Sequence, residues 1–265
     1  MCLLCMALVL PAARAQVWLG ASAAAEQSRW QEVDGQRASL VDEQGDLRGG
    51  SLVMGCRCAG VDWQAEWVRL GGSRAYQGVS STGVPLRTHS EVLRQAVGIT
   101  GWLPVGERWS AGARIAARRL ERDIAGVGAA LGYPEQFDDW QGSAGARYAL
   151  LRSTVSALTA EAWLGGGPGG RLTLKLPRAD PTVLSLGSSR LVELGLTWQA
   201  DLTETAPAPG WQWWLRLLHR QERFAAGPAS AVLRNGVIVG IAAQPETHQT
   251  TSGLQAGLLY RFSGR

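Results

Sequence analysis

The stretch TSGLQAGLLYRF, at residues 251–262, decides the fold that this sequence predicts. Every second residue from Leu254 to Phe262 is apolar or aromatic, and the residues between them include Gln255 and Gly257. Because successive side chains of a β-strand point to opposite faces, one face of this segment is apolar and the other is mixed. A strand that faces lipid on one side and the lumen of a barrel on the other has this pattern, with aromatic residues at the membrane interface.

The same segment resembles the C-terminal targeting signal of bacterial outer-membrane β-barrels. The resemblance rests on Gln255, Gly257, Tyr260 and Phe262, and it departs from the usual form in residues 263–265, which follow the aromatic residue. It implies that the barrel-assembly machinery is a partner. A closed barrel also pairs its last strand with its first, because an open edge of unpaired backbone groups is unfavourable in lipid. We therefore expect this segment to be both an assembly signal and the closing strand.

The other end of the chain predicts secretion. Residues 2–10 are apolar, Pro11 ends the run, and Ala13 and Ala15 form a small-x-small cleavage site. This pattern predicts a signal peptide at residues 1–15 and one barrel domain at residues 16–265. The run is too short to span a bilayer as a helix, and no later segment has about 18 consecutive apolar residues, which excludes a helical membrane protein. The predicted location is the outer membrane of a Gram-negative bacterium.

Composition agrees with a barrel, although its averages resemble those of a soluble protein. The 265 residues are 46% hydrophobic and the mean hydropathy is −0.04. In a transmembrane barrel the polar half of each strand faces inward, so the average conceals the apolar face. The net charge is +4, and no run of Lys or Arg forms a basic tail. Nucleic acid is therefore not expected as a partner; outer-membrane lipid and lipopolysaccharide are.

The remaining alternation predicts an all-β, antiparallel, up-and-down transmembrane barrel of about ten strands. Short connections near residues 60, 105 and 152 alternate with long ones near 40, 82, 130, 178 and 237, which places the long connections outside the cell. Loops are expected to include residues 42–45, 123–137 and 225–249. The sequence RNGV at residues 234–237 predicts a type I′ hairpin within the last loop. Alternation resumes at residues 171–176 after a glycine-rich run, which indicates one long, kinked strand.

Eleven charged residues have the inward parity of their strands. They are Glu26, Glu66, Arg94, Arg114, Arg118, Arg147, Glu161, Glu193, Arg216, Arg220 and Glu222. Charges buried in a narrow lumen must be paired, so the favoured interpretation is a lumen held together by Arg and Glu pairs. The alternative is a narrow pore with an Arg-rich lumen for small anionic solutes, because Arg outnumbers Glu in the set.

The histidines predict no catalytic or metal site, and no cofactor is expected. His89 lies beside Ser90 and Glu91, but neighbours in a strand point to opposite faces and cannot form a triad. His219 has outward parity, and His248 is expected in a loop. No His, Cys or carboxylate pair has metal-ligand spacing.

One further resemblance concerns the stretch LGYPEQF at residues 131–137 and the pair Asp138 and Asp139. With the strand count, these residues resemble the omptin family of outer-membrane proteases. The resemblance implies an Asp pair facing an Asp–His pair across the barrel mouth. The sequence contains no Asp-x-His. The simpler interpretation, without catalysis, is that Asp138 and Asp139 are solvent-exposed charges of a loop. The favoured function is a non-enzymatic barrel, structural or acting through its extracellular loops; a narrow pore and an omptin-like rim hydrolase are the alternatives.

Overall fold

The computed structural model describes residues 16–79, 84–202 and 209–262. The predicted signal peptide lies outside these residues, as does the C-terminal tail at 263–265. Within the described part, no helix is long and apolar enough to cross a membrane. The strands in chain order are β1 (Gln16–Val33), β2 (Ser39–Cys58), β3 (Val61–Val79), β4 (Pro85–Pro104), β5 (Trp109–Ile124), β6 (Tyr133–Arg152), β7 (Ser156–Gly167), β8 (Gly170–Leu174), β9 (Thr182–Ser185), β10 (Ser189–Asp201), β11 (Gly210–Phe224), β12 (Ser230–Arg234), β13 (Val237–Ala242) and β14 (Glu246–Phe262).

Ten of these strands close into an antiparallel barrel. Around its wall the order is β1, β2, β3, β4, β5, β6, β7, β10, β11 and β14, and β14 pairs again with β1. The predicted fold class and the strand count are therefore confirmed. The closing seam is continuous, because it runs from Val17 opposite Phe262 to Val33 opposite Glu246 without a register shift. The C-terminal strand thus closes the barrel.

An apolar belt surrounds one half of the barrel. Outward side chains of this half are large, apolar and exposed, as at Leu52, Trp67, Ile115, Leu194 and Leu258. On β14 the belt extends over residues 254–262, and nine residues at about 3.3 Å each, tilted by about 40°, span roughly 23 Å. This height fits the apolar band of a transmembrane barrel, which is about 25 Å. The short connections lie at this end; Ala59 and Gly60 form the β2–β3 turn with φ of 51° and 80°.

The strands continue well beyond the belt, and this corrects several predicted loops. Residues 42–45 belong to β2, residues 133–137 to β6 and residues 246–249 to β14. Outward positions here are polar, as at Arg29 and Gln44, because they face water and not lipid. With polar residues on both faces, these strand ends have the composition of loops, although the β-ladder is unbroken.

Two small additions rest on the long-loop end. Strand β8 continues the line of β7 along β6, which bears out the kinked strand, and β9 pairs with β8. Strands β9 and β10 are separated by an interruption at residues 186–188. The predicted hairpin is confirmed, since β12 and β13 pair around Asn235 and Gly236, whose φ angles of 52° and 78° are those of a type I′ turn.

The belt predicts a depth-dependent effect of outward charge. Ala113→Arg, at the centre of the belt on β5, should destabilise the barrel by about 2–4 kcal/mol, because the guanidinium must enter the bilayer midplane. Ala75→Arg is the matched control, since Ala75 is an exposed outward alanine above the belt on β3. Urea unfolding of both variants in phospholipid vesicles measures the difference. Equal effects of the two substitutions would show that the belt is misplaced.

Candidate functional site

The structure places all eleven predicted lumen charges on the inner face of the barrel. They do not form one network, however, but separate groups at different heights. Arg147 belongs to the short-turn end, where it lies 2.8 Å from Asp62. Glu66 receives a 3.3 Å hydrogen bond from the Gln255 amide. The other members are grouped around Glu193, Glu222 and Glu26.

Glu193 is the centre of the largest group. Its carboxylate lies 3.0 Å from Arg114, 3.2 Å from Arg216 and 2.6 Å from Arg220, and its side chain is 1% exposed. Arg216 also binds Glu161 at 3.1 Å. Three guanidinium groups from β5 and β11 therefore converge on one buried carboxylate of β10. A buried charge in this position is stable only because its partners surround it.

A second group crosses the lumen nearer the long-loop end. Arg118 on β5 lies 2.7 Å from Glu222 on β11 and 2.5 Å from Asp139 on β6. The interpretation of Asp139 as a solvated loop charge is wrong, because its side chain points inward from β6 and is 8% exposed. A separate pair, Arg94 and Glu26, lies at 2.6 Å and joins β4 to β1.

With Asp139 included, this middle layer has no excess of arginine. Its five arginines are outnumbered by six carboxylates. The arginines are Arg94, Arg114, Arg118, Arg216 and Arg220, and the carboxylates are Glu26, Glu66, Asp139, Glu161, Glu193 and Glu222. The expected Arg-rich constriction omitted Asp139; even with Arg147, whose register partner is Glu161, arginines and carboxylates are equal in number, at six each.

Aromatic side chains bring opposite walls into contact. Trp30 on β1 and Phe137 on β6 have ring centroids 5.2 Å apart, although these strands are five positions apart in a ten-strand barrel. Trp102 on β4 and Trp163 on β7 have ring centroids 4.6 Å apart, but these strands are only three positions apart, and the rings lie over Gly112 and Gly145 of the intervening β5 and β6. Trp30 and Phe137 belong to an apolar cluster with Leu172 and other leucines of the β8–β9 region. The lumen is thus crossed by side chains at the level of Trp30 and Phe137.

The sequence interpretation missed a buried charge cluster above the belt. Arg122, 2% exposed, lies 3.1 Å from Glu32, 3.2 Å from Glu43 and 3.2 Å from Glu135. Arg74, fully buried, lies 3.7 Å from Glu43. Strand alternation could have identified them. Arg122 lies an even number of residues after the inward-facing Arg114 and Arg118, and Glu32 an even number after the inward-facing Glu26. They were missed because the predicted strands ended too early.

Three carboxylates share two guanidinium groups in this upper cluster, which raises the proton affinity of one of them. Burial raises the pKa of Glu135 to about 7, against the opposing effect of Arg122. The nearby charges of Glu32 and Glu43 raise the pKa further. Burial also raises the pKa of Tyr76 to about 12.

The remaining candidate residues are not brought together. Asp138 points outward from β6 and lies 2.7 Å from Arg119, so it and Asp139 face opposite sides of the strand. His89 is exposed on β4, and His219 shares a 2.9 Å hydrogen bond with Ser252. The expectation of a loop at His248 is wrong, because it lies in β14, 2.6 Å from Glu246. Among the described residues, no group of His, Cys, Asp or Glu is arranged to hold a metal ion.

The residues of the proposed assembly signal have defined places in β14. Gln255 points inward and donates hydrogen bonds to Ser22 at 2.9 Å and Ser51 at 3.0 Å. At Gly257 a Cβ atom would lie 2.7 Å from the Ala21 carbonyl oxygen and from the Trp214 ring, so the strand can pack there only as glycine. The Tyr260 and Phe262 rings lie 4.9 Å apart at the short-turn edge of the belt. The contacts of these four residues hold β14 in the barrel wall. Their role as an assembly signal stays a prediction.

Comparison with known proteins bears on the fold. No protein-family model matches the sequence, and no curated protein matches it. Among solved structures, the outer membrane protease OmpT from Escherichia coli aligns with a TM-score of 0.52 over 96% of this chain and 99% of that chain. The chain has the fold of an outer-membrane β-barrel. At 9% identity, the likeness to OmpT concerns the fold and not the activity.

Two further structures align with lower scores. The translocator domain of the autotransporter NalP from Neisseria meningitidis has a TM-score of 0.40 and 11% identity, over 89% of this chain and 87% of that chain. The beta domain of the Bordetella autotransporter BrkA has a TM-score of 0.40 and 15% identity, over 95% and 100% respectively. The first comparison alone is close enough to indicate a common fold.

Removal of the Glu193 charge should destabilise the barrel strongly. Glu193→Gln leaves Arg114, Arg216 and Arg220 without their shared counter-ion, and breaking such a buried pair costs about 3–5 kcal/mol. Asp42→Asn is the control, because it removes a carboxylate from an exposed ion pair with Arg29, which is worth about 0–1 kcal/mol. Urea unfolding in vesicles measures both. A loss below 1 kcal/mol at Glu193 would contradict the proposed arrangement.

The upper cluster predicts a stability that falls as pH rises. In the folded protein the pKa of Glu135 is raised from 4.5 to about 7. The stabilisation that the protonated Glu135 gives to the folded state is therefore fully present below the unfolded pKa, and it is lost as pH rises through about 7. Glu135→Gln imitates the protonated form, so its thermal midpoint should change less than that of the wild type between about pH 5 and about pH 8. Glu91→Gln, on the exposed outer face of β4, is the control. Identical pH profiles of the wild type and Glu135→Gln would refute this role.

Proposed function

We propose that this protein is an integral outer-membrane β-barrel with a closed lumen, and that it acts through its long-loop end and not by transport. The observation that carries the proposal is the contact of Trp30 with Phe137 across the lumen. A solute would have to displace these rings and also break the ion pairs around Glu193. A barrel of this strand number is narrow enough for its own side chains to fill it.

The orientation follows from the connections. Short turns are characteristic of the periplasmic side of bacterial barrels and long loops of the outer side. The apolar belt is then the surface that contacts outer-membrane lipid, and the tall polar half projects among lipopolysaccharide and beyond it. The C-terminal strand, through Gln255, Gly257, Tyr260 and Phe262, is proposed to be the segment that the barrel-assembly machinery recognises.

A surface feature at the long-loop end supports a binding role there. Strand β13 has the sequence VIVGIA, and its side chains Val237, Ile238 and Ile241 are 65%, 66% and 77% exposed. It forms one edge of the two-stranded β12–β13 sheet. Apolar side chains on a strand of such a small sheet are typical of surfaces that bind a partner.

The alternatives have less support. An anion-selective pore requires a positive constriction, whereas the middle layer has no excess of arginines. An omptin-like hydrolase requires a carboxylate pair acting together, whereas Asp138 and Asp139 face opposite sides of β6 and each is bound by an arginine.

Planar-bilayer recording of the refolded barrel tests the closed lumen. Heat-modifiable gel migration first establishes that the barrel has formed, and a general-diffusion porin serves as the conducting control. The folded protein should insert without producing stepwise currents, because the Trp30–Phe137 contact and the Arg118–Glu222 ion pair cross the lumen. Stable, stepwise single-channel currents would refute the proposal and favour the narrow pore.

A further inference from the structure

The short-turn end of the lumen contains a cavity that the proposed function does not use. Its volume is about 330 Å³, and its lining includes Trp18, Gln64, Thr159, Gln199 and Gln212. Toward the middle of the barrel, the cavity ends at Glu161, whose carboxylate lies 3.1 Å from Arg216 of the middle layer. The cavity is therefore a blind vestibule that opens at the short-turn end. Its volume lies in the range of small-molecule sites, about 300–1,000 Å³.

Arginine is in excess in this vestibule. Five arginines line it, namely Arg57, Arg108, Arg147, Arg152 and Arg261. Among the described residues, two carboxylates, Asp62 and Glu161, line it, while Asp201 lies 3.5 Å from Arg261 and Glu107 precedes Arg108 in a short turn. Of these, Glu161 is already bound by Arg216 from the layer above.

The available pairing leaves guanidinium groups free to bind a ligand. One carboxylate, Asp62, serves two arginines, at 2.5 Å from Arg57 and 2.8 Å from Arg147. Arg152 donates to the backbone carbonyl of Glu107 at 3.2 Å. In the described part of the chain, Arg108 has no ion pair or side-chain hydrogen bond.

This excess is specific to the vestibule. Apart from Glu161, which lines the vestibule, the middle layer has five carboxylates and five arginines, and in the upper cluster Glu32, Glu43 and Glu135 face Arg74 and Arg122. Positive charge is thus concentrated at one end of the lumen. A general need for lumen pairing does not explain it, because pairing requires equal numbers.

We infer that the vestibule binds a small anion that carries two or more carboxylate or phosphate groups and enters from the periplasmic side. Guanidinium groups bind both kinds of oxyanion through paired, charge-assisted hydrogen bonds. The glutamine amides and the Thr159 hydroxyl supply neutral donors around them. The indole of Trp18, which lies against Gly55, adds an apolar wall for the carbon skeleton of the ligand.

Isothermal titration calorimetry on the refolded barrel at low ionic strength tests this site, with pyrophosphate and citrate as probes and glucose as a neutral control. The test variant is Arg108→Gln with Arg152→Gln, because both side chains are exposed in the short turns and neither is ion-paired in the described residues. The control variant is Arg48→Gln with Arg87→Gln, which removes the same charge from the outer face of the long-loop half. Gel migration establishes that each variant folds.

The wild type and the control variant should bind at least one anion saturably and glucose not at all, and the vestibule variant should lose at least tenfold in affinity. Tighter binding of pyrophosphate would assign a phosphate ligand, and tighter binding of citrate a carboxylate ligand. Absence of saturable binding to the wild type would overturn the inference. Equal losses in the two double variants would also overturn it, because that result reports net charge and not a site. Bilayer conductance does not enter this test, so its outcome is independent of the proposed function.

Discussion

The structure depends on the neutralisation of charge inside a narrow, closed wall. Strand alternation places arginines and carboxylates in a narrow lumen where their side chains are buried, and an unpaired buried charge is costly. Glu193 shows the solution most clearly, because three arginines from two other strands converge on it. The contact of Arg114 with Glu193 also joins β5 to β10, and that of Arg118 with Glu222 joins β5 to β11, which are not neighbours in the wall. Charge neutralisation and closure of the lumen are therefore the same set of contacts.

The two ends of the barrel differ because their surroundings differ. At the belt, lipid requires an apolar outer face, so polar residues are confined to the lumen. Beyond the belt, water contacts the outer face, and the interior is filled by both an apolar cluster around Trp30 and a charged cluster around Arg122. At the short-turn end, neither a plug nor sufficient carboxylates fill the lumen. The barrel is thus closed toward the long-loop end and open as a vestibule at the other.

Alternation alone predicted the fold and the inner face of the belt region. It succeeded at residues such as Glu26, Arg114 and Glu193 because lipid imposes a strict contrast between the two faces of each strand. It failed above the belt, where this contrast is absent. For this reason Glu135 was predicted to lie in a loop, and Asp139 next to that loop. It could not predict which charges pair, because partners such as Arg118 and Glu222 are 104 residues apart and meet only through the register of the whole barrel. The Trp30 and Phe137 contact across the lumen was unpredictable for the same reason.

A double-mutant cycle between Arg118 and Glu222 tests the coupling of opposite walls most directly. The single variants Arg118→Gln and Glu222→Gln and their combination would be compared with the wild type by reversible urea unfolding in vesicles. If the two charges stabilise the closed barrel by direct contact across the lumen, the effects should be non-additive, with a coupling energy of at least about 1.5 kcal/mol. Additivity within about 0.5 kcal/mol would show that the two side chains do not interact, and would contradict the account of a lumen closed by its own ion pairs.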